Sequence, residues 1–297
     1  MQERITRVAD EDNDTGIVDG EDLRLPSIDA AVVTVGAAAH GGRTRISPQV
    51  SPWTVMEQYA DLICTRTPLR VLRLPMTTGD VQLVASRIVT TAPRVSLAFV
   101  TGVGAGESAR VKSEVASQGG PLVLTELDVI TAALAGTTIS ILRRSGAAPG
   151  FGRIVINGPE RAPLLGPTLM KSGIAEITNW HSSDAHAFPL RRLMEHHDVL
   201  IDLAGTAADT DAPGRTVRYP AEPFRLGQLI VPGLIGALCG HEIGEVTAEI
   251  LAAAARALAL ITPVGQALPD PGDSLVTPAI ARQVGRVVIH LTDRGTH

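Results

Sequence analysis

Short apolar runs alternate with longer stretches of helical spacing along most of this chain. Residues 30–35 form one such run, closed by Gly36, and read as a buried strand. Val55, Tyr59, Leu62 and Ile63 recur at helical spacing, so 55–65 reads as a helix. The same reading gives strands over 69–74, 95–100 and 121–124, and helices over 81–90, 108–117 and 130–144. Gly146, Pro149 and Gly150 end the last helix and mark a hinge or domain boundary. A second alternation follows, with strands over 153–157, 176–179 and 199–203 and helices over 164–172 and 190–196. Residues 205–223 are rich in Pro, Gly, Asp and Thr and read as a loop. Two apolar helices over 228–240 and 246–260, and a last helix over 278–288, complete the pattern. Strands alternating with helices predict an α/β chain of two open, mostly parallel domains with helices on both sheet faces. The expected division is a leader over 1–26, a first α/β domain over 27–149 and a second over 150–270. A C-terminal helix and tail over 271–297 would pack back on the first domain.

Composition narrows the class. At 297 residues, 44% hydrophobic and 19% charged, the chain can bury a full core without disulfide support. Its two cysteines, Cys64 and Cys239, offer neither a disulfide framework nor a four-cysteine zinc site, and fit a reducing cytoplasm. Residues 1–24 carry eight acids against Arg4, Arg7 and Arg24, which accounts for the entire net charge of −5. This acidic leader reads as solvated and poorly ordered. It lacks the apolar core of a secretory signal. The remainder has no basic excess, which argues against a nucleic-acid partner. The most apolar stretches, 226–240 and 250–264, are interrupted by Pro232 and Arg256 and make no convincing membrane span. Lysine is almost absent: only Lys112 and Lys171 stand beside twenty-four arginines, so any lysine chemistry must use one of those two.

Several constellations are candidates for chemistry. Gly104-Ala105-Gly106-Glu107-Ser108-Ala109 follows an apolar strand and opens a helix, as a phosphate-binding turn would. Glu126 ends the next strand, about where a ribose-binding acid would stand. The alternative reading is a plain tight turn. A second turn runs Gly158-Pro159-Glu160-Arg161-Ala162-Pro163, but its prolines remove backbone donors and Glu160 repels a pyrophosphate. Arg161 remains there as a candidate anion contact, and the alternative reading is a structural turn. Asp202 lies at a strand end, near the edge where open α/β sheets bind ligands. His181, Asp184 and His186 are close in sequence but sit in a loop without the spacing of a metal site, so no metal ligand is assigned.

The order of segments resembles the malic enzyme family. Pro232-Gly233-Leu234-Ile235-Gly236-Ala237-Leu238, followed by the Ala252–Ala259 run, is similar to the family's F-P-G-I-F-R-G-A-L … A-A-A-R-A-L-A stretch. Val55-Met56-Glu57-Gln58-Tyr59-Ala60 looks like its V-M-E-G-K-A helix, and Arg153–Gly158 like the strand entering its cofactor loop. The resemblance covers roughly residues 30 to 290. It implies two α/β domains around a cleft, the second Rossmann-like and NAD(P)-binding, in a homodimer.

The matched motifs depart from the family where its chemistry resides. The family's acid/base lysine position is Tyr59 here. Its metal-binding Glu-Asp pair falls on Thr101 and Gly102, and its Asp-Asp pair on Glu126 and Leu127. Its Asn pair before the P-G turn becomes Leu226 and Gly227, and its Asn-Pro loop is missing. Oxidative decarboxylation needs a metal to stabilise an enolate and a base to take the hydroxyl proton. One glutamate is a poor divalent site, because such ions want several oxygens. The expectation is therefore a malic-enzyme-like protein that has lost that reaction. It would be a pseudoenzyme with a regulatory or scaffolding role and a protein partner, or a repurposed enzyme acting on a small polar or anionic metabolite. Tyr59, Glu126 and Asp202 are its candidate catalytic residues. The rival is an active NAD(P)-dependent oxidoreductase that holds its cofactor at Gly104 and Gly106, or at Gly158 and Arg161.

Overall fold

The computed structural model describes residues 28–36, 51–91, 95–146 and 149–295; the acidic leader lies outside them. Four strands build the first sheet: β1 (Ala30–Val35), β2 (Val71–Met76), β3 (Leu97–Thr101) and β4 (Leu122–Thr125). Their order is β2-β1-β3-β4 and every pairing is parallel. The central strands β1 and β3 are buried at every position, as an apolar run covered on both faces must be. The crossovers are α1 (Pro52–Arg66), α2 (Val81–Thr91) and α3 (Ala105–Ser117).

The second sheet repeats the plan. It contains β5 (Arg153–Asn157), β6 (Glu176–Trp180), β7 (Val199–Asp202) and β8 (Thr216–Arg218), in the order β6-β5-β7-β8, again all parallel. Its helices are short: α5 spans Leu165–Lys171 and α6 spans Leu190–Leu193. The structure is thus an α/β molecule with two open parallel sheets.

Between the sheets runs α4 (Glu126–Arg144). Its Thr125 cap accepts from the Asp128 N–H while the Asp128 carboxylate accepts from the Thr125 N–H, a reciprocal pair that fixes the helix start. Val129, Ala132 and Ala133 join the core under the first sheet, and Ile130, Leu134 and Ile139 join that under the second. Three further helices complete the chain: α7 (Phe224–Leu238), α8 (Ala248–Ile261) and α9 (Val276–Gly295). Val276, Ile280, Val284 and Val288 form one stripe of α9 in the core shared with α1, α7 and α8. Among the described residues no helix is long and apolar enough to cross a membrane.

Several boundaries differ from the sequence expectations, each for a local reason. The Thr125–Asp128 cap starts α4 four residues before the expected Ile130. Helix α6 stops at Leu193, because the buried His197 ring bonds the Leu193 carbonyl and Arg215 takes the carbonyls of Met194 and His197. Strand β8 lies inside the stretch read as loop; its three residues, one of them apolar, are too few for a periodic signal.

Candidate functional site

In parallel sheets the strand carboxyl ends gather the turns that meet ligands. Here β3 ends at Thr101-Gly102, β4 at Thr125-Glu126, β5 at Asn157-Gly158, β7 at Asp202 and β8 at Arg218-Tyr219. Glu126 is the first residue of α4 and is partly buried. Tyr59 is carried by the buried face of α1, with Met56, Ala60 and Ile63. Its hydroxyl donates to Glu126 Oε1 at 3.0 Å. The ring is fully buried and meets Phe99 and Phe224 edge-on, each at a centroid distance of 4.9 Å.

Two glycines make this pairing possible. Gly102 has φ +80°, and a Cβ there would lie 2.4 Å from the Val35 carbonyl oxygen. The turn it allows brings the Gly102 N–H to the Glu126 carboxylate. On α7, a Cβ at Gly227 would lie 2.2 Å from Tyr59 Oη. The tyrosine hydroxyl therefore fills the space that a side chain at 227 would take.

Electrostatics follow from burial. Burial first, and the adjacent Glu126 charge second, hold the Tyr59 phenol far above its ordinary range. Burial likewise raises the Glu126 carboxyl, against the bonds it receives from Tyr59 and Gly102. Burial and Glu126 push Tyr219 up to about 12, with Arg161 opposing. Tyr59 is thus a proton donor to Glu126 and no base at neutral pH. The chain's only two tyrosines both feel the Glu126 charge. Sequence reading missed Tyr219, which adjoins the unrecognised strand β8; the scarcity of tyrosine was the available signal.

Asp202 is not brought to this pair. It lies on the second sheet with 1% exposure, and both its oxygens are engaged. They accept from the backbone N–H groups of Gly205, Thr206 and Ala207 and from Asn157 Nδ2. Asp202 thereby organises the loop after β7. The Oδ1 of the same Asn157, beside Gly158, is buried without a partner.

Gly104 and Gly106 open α3. There Glu107 Oε2 accepts from the Gly104 N–H at 3.0 Å, so a carboxylate of the chain already lies at that N-terminus. Gly158 adopts φ +76°, and a Cβ there would lie 3.0 Å from that of Ala204. A single turn, Pro159–Arg161, follows it in place of a helix start, and α5 begins only at Leu165. Arg161 is exposed, and its guanidinium donates to the Leu203 carbonyl at 3.3 Å. His181 stands 3.5 Å from Glu160 and 3.7 Å from Asp184 on the surface.

The donor set does not suit a divalent ion. Among the described residues no three His, Cys, Asp or Glu side chains converge as ligands. Glu126 already accepts an O–H and an N–H, and a single carboxylate supplies too few oxygens for such an ion. Thr101, one of the positions where the resemblance places a family metal ligand, has its hydroxyl bonded to that of Thr34 at 2.8 Å.

No family model and no curated protein matches this chain. Solved structures do. The malic enzyme of Pyrococcus horikoshii superimposes with a TM-score of 0.67 at 15% identity, covering 89% of this chain and 77% of that one. The NAD-dependent malic enzyme of Thermotoga maritima gives 0.65 at 14%, covering 86% and 84%. Entamoeba histolytica malic enzyme gives 0.68 at 14%, covering 89% and 70%. At such identities the likeness is one of architecture: this chain has the malic-enzyme fold.

Proposed function

We propose that this protein has kept the malic-enzyme fold and lost malate oxidative decarboxylation, and that it acts as a pseudoenzyme in regulation or scaffolding. The observation that carries this is the Tyr59–Glu126 pair, whose buried tyrosine packs against Phe99, Phe224 and Gly227. Tyr59 stands where the resemblance places the family's acid/base lysine, and it holds its proton. Glu126 is the one carboxylate left at the family's metal positions, and hydrogen-bond donors face it. The dinucleotide loop is equally altered: Pro159 has no N–H, Glu160 brings a negative charge and no helix begins at the turn. On this reading neither a metal nor NAD(P) takes part. The homodimer implied by the resemblance, and the cytoplasmic location that the two cysteines fit, belong to the same proposal.

One observation favours a second reading, a repurposed cleft. Glu126 is only partly buried, Tyr219 is partly exposed, and the exposed Arg161 acts on Tyr219 electrostatically. That rim offers a cation and two hydrogen-bonding groups to a small anionic metabolite.

Thermal unfolding with added ligands separates these readings. A ligand at a hundred times its Kd stabilises by about 2.7 kcal/mol. The pseudoenzyme predicts no rise in Tm with NAD⁺ or NADP⁺, whereas a rise would restore the oxidoreductase reading. A rise with succinate that is lost in Arg161→Gln would favour the repurposed cleft.

A further inference from the structure

A cavity of about 810 Å³ lies between α3, the start of α4, Pro163-Leu164 and the turn before α8. Its volume is that of a site for a small organic molecule. Four features of its wall define the chemistry it would accept.

The first is a cation. Lys112, one of the two lysines in the chain, lines the cavity with its side chain 24% exposed. Its ammonium bonds Asp128 Oδ1 at 2.6 Å and has further N–H groups to give. The second is an unpaired hydroxyl. Ser108 lies one turn before Lys112 on α3, is 3% exposed and lines the same cavity, and its Oγ has no hydrogen-bond partner. A buried hydroxyl left unpaired is unfavourable, and a ligand acceptor would relieve it after a turn of χ1. Third, the first turns of α4 and α8 lie on this wall at Leu127-Asp128 and at Ala248-Glu249, and helix starts favour negative charge; the start of α3 is already met by Glu107. Fourth, Ala109, Leu164, Ile243 and Val246 supply an apolar surface.

The acids on the wall do not cancel this. Both Asp128 oxygens are engaged, by Lys112 and by the N–H and hydroxyl of Thr125. Glu249 is paired with Lys171 at 2.6 Å. Glu245 is exposed at the rim.

We propose that this cavity binds a small oxyanion with an apolar body, a carboxylate or a phosphate monoester, held by Lys112 and Ser108. Neither Tyr59 nor Glu126 lines this cavity, although Thr125 and Leu127 on either side of Glu126 do, and its test stands or falls apart from the pseudoenzyme reading.

The test is calorimetric titration of the full chain with butyrate and with phenyl phosphate, at constant ionic strength. Saturable binding is expected. A response to one probe alone identifies the headgroup. Lys112→Met should weaken binding at least about tenfold, and Ser108→Ala about fivefold, the usual worth of a charged and a neutral hydrogen bond. Lys112→Met strands Asp128 and is prone to unfold, so Ala109→Phe carries the test independently. Ala109 is exposed on the cavity wall, and the added ring fills the space without altering a charge. Binding should disappear in that variant. Absence of saturable binding by both probes, or unchanged affinity in Ala109→Phe, would overturn the proposal.

Discussion

Glu126 sets the chemistry of the cleft through its surroundings rather than through its identity. A free surface glutamate would be ionised and available to a cation, whereas this one is desolvated, held by Tyr59 and Gly102 and raised above its ordinary value of 4.5. The consequence for stability has a definite sign. Between the unfolded value and the higher folded value, the folded chain keeps a proton that the unfolded chain has released. Stability contributed by Glu126 is therefore complete below about pH 4.5 and declines as pH rises through the folded value. Tm measured across that range should fall less steeply in Glu126→Gln than in the parent; an identical slope would assign the decline to other groups. Asp202 acts through its hydrogen bonds. Its oxygens accept three backbone N–H groups, so Asp202→Ala should cost about 2–4 kcal/mol in denaturant unfolding. A loss below about 0.5 kcal/mol, typical of a neutral surface change, would contradict its role as loop organiser.

At the scale of elements, the Tyr59–Glu126 pair depends on how closely α7 approaches α1. Gly227 allows that approach because Tyr59 Oη occupies the position of its absent Cβ. Alanine improves helix propensity by about 1 kcal/mol, while overpacking a filled core costs about 1–3 kcal/mol. Gly227→Ala should therefore destabilise the protein and expel the tyrosine, seen as a more exposed phenol in its ultraviolet spectrum. A variant more stable than the parent would show that the contact is loose. Most elements on which this cleft rests were legible in sequence, since β1, β3, β5 and β7 are continuous apolar runs bounded by turn residues. The start of α4 was less so, because Thr125 and Asp128 act as a pair across three residues rather than as a periodic pattern. The site was half legible. Tyr59 and Glu126 came from matched motifs that lie 67 positions apart, and their hydrogen bond could not be read from spacing. Gly102 and Tyr219 escaped because their roles arise from a backbone angle and from an edge strand of three residues.

On the scale of the whole molecule, two parallel sheets are joined by α4, whose alternate faces enter both cores, and by the α7–α9 layer. That framework is built from apolar burial and places no demand on the residues at the strand ends. It can survive the exchange of a base for Tyr59, and fold similarity alone says nothing of activity. On the proposed reading the chemistry is decided locally, by a protonated phenol and a shielded carboxylate in place of the parts that malate decarboxylation requires. The most direct measurement is turnover by the purified full chain, supplied with malate, Mn²⁺ and either NAD⁺ or NADP⁺ and followed by the absorbance of reduced nicotinamide. No reduced cofactor above the enzyme-free rate is expected, and none in Tyr59→Phe. Malate-dependent reduction by the parent, abolished in Tyr59→Phe, would show the site to be a working one and contradict the loss of the reaction.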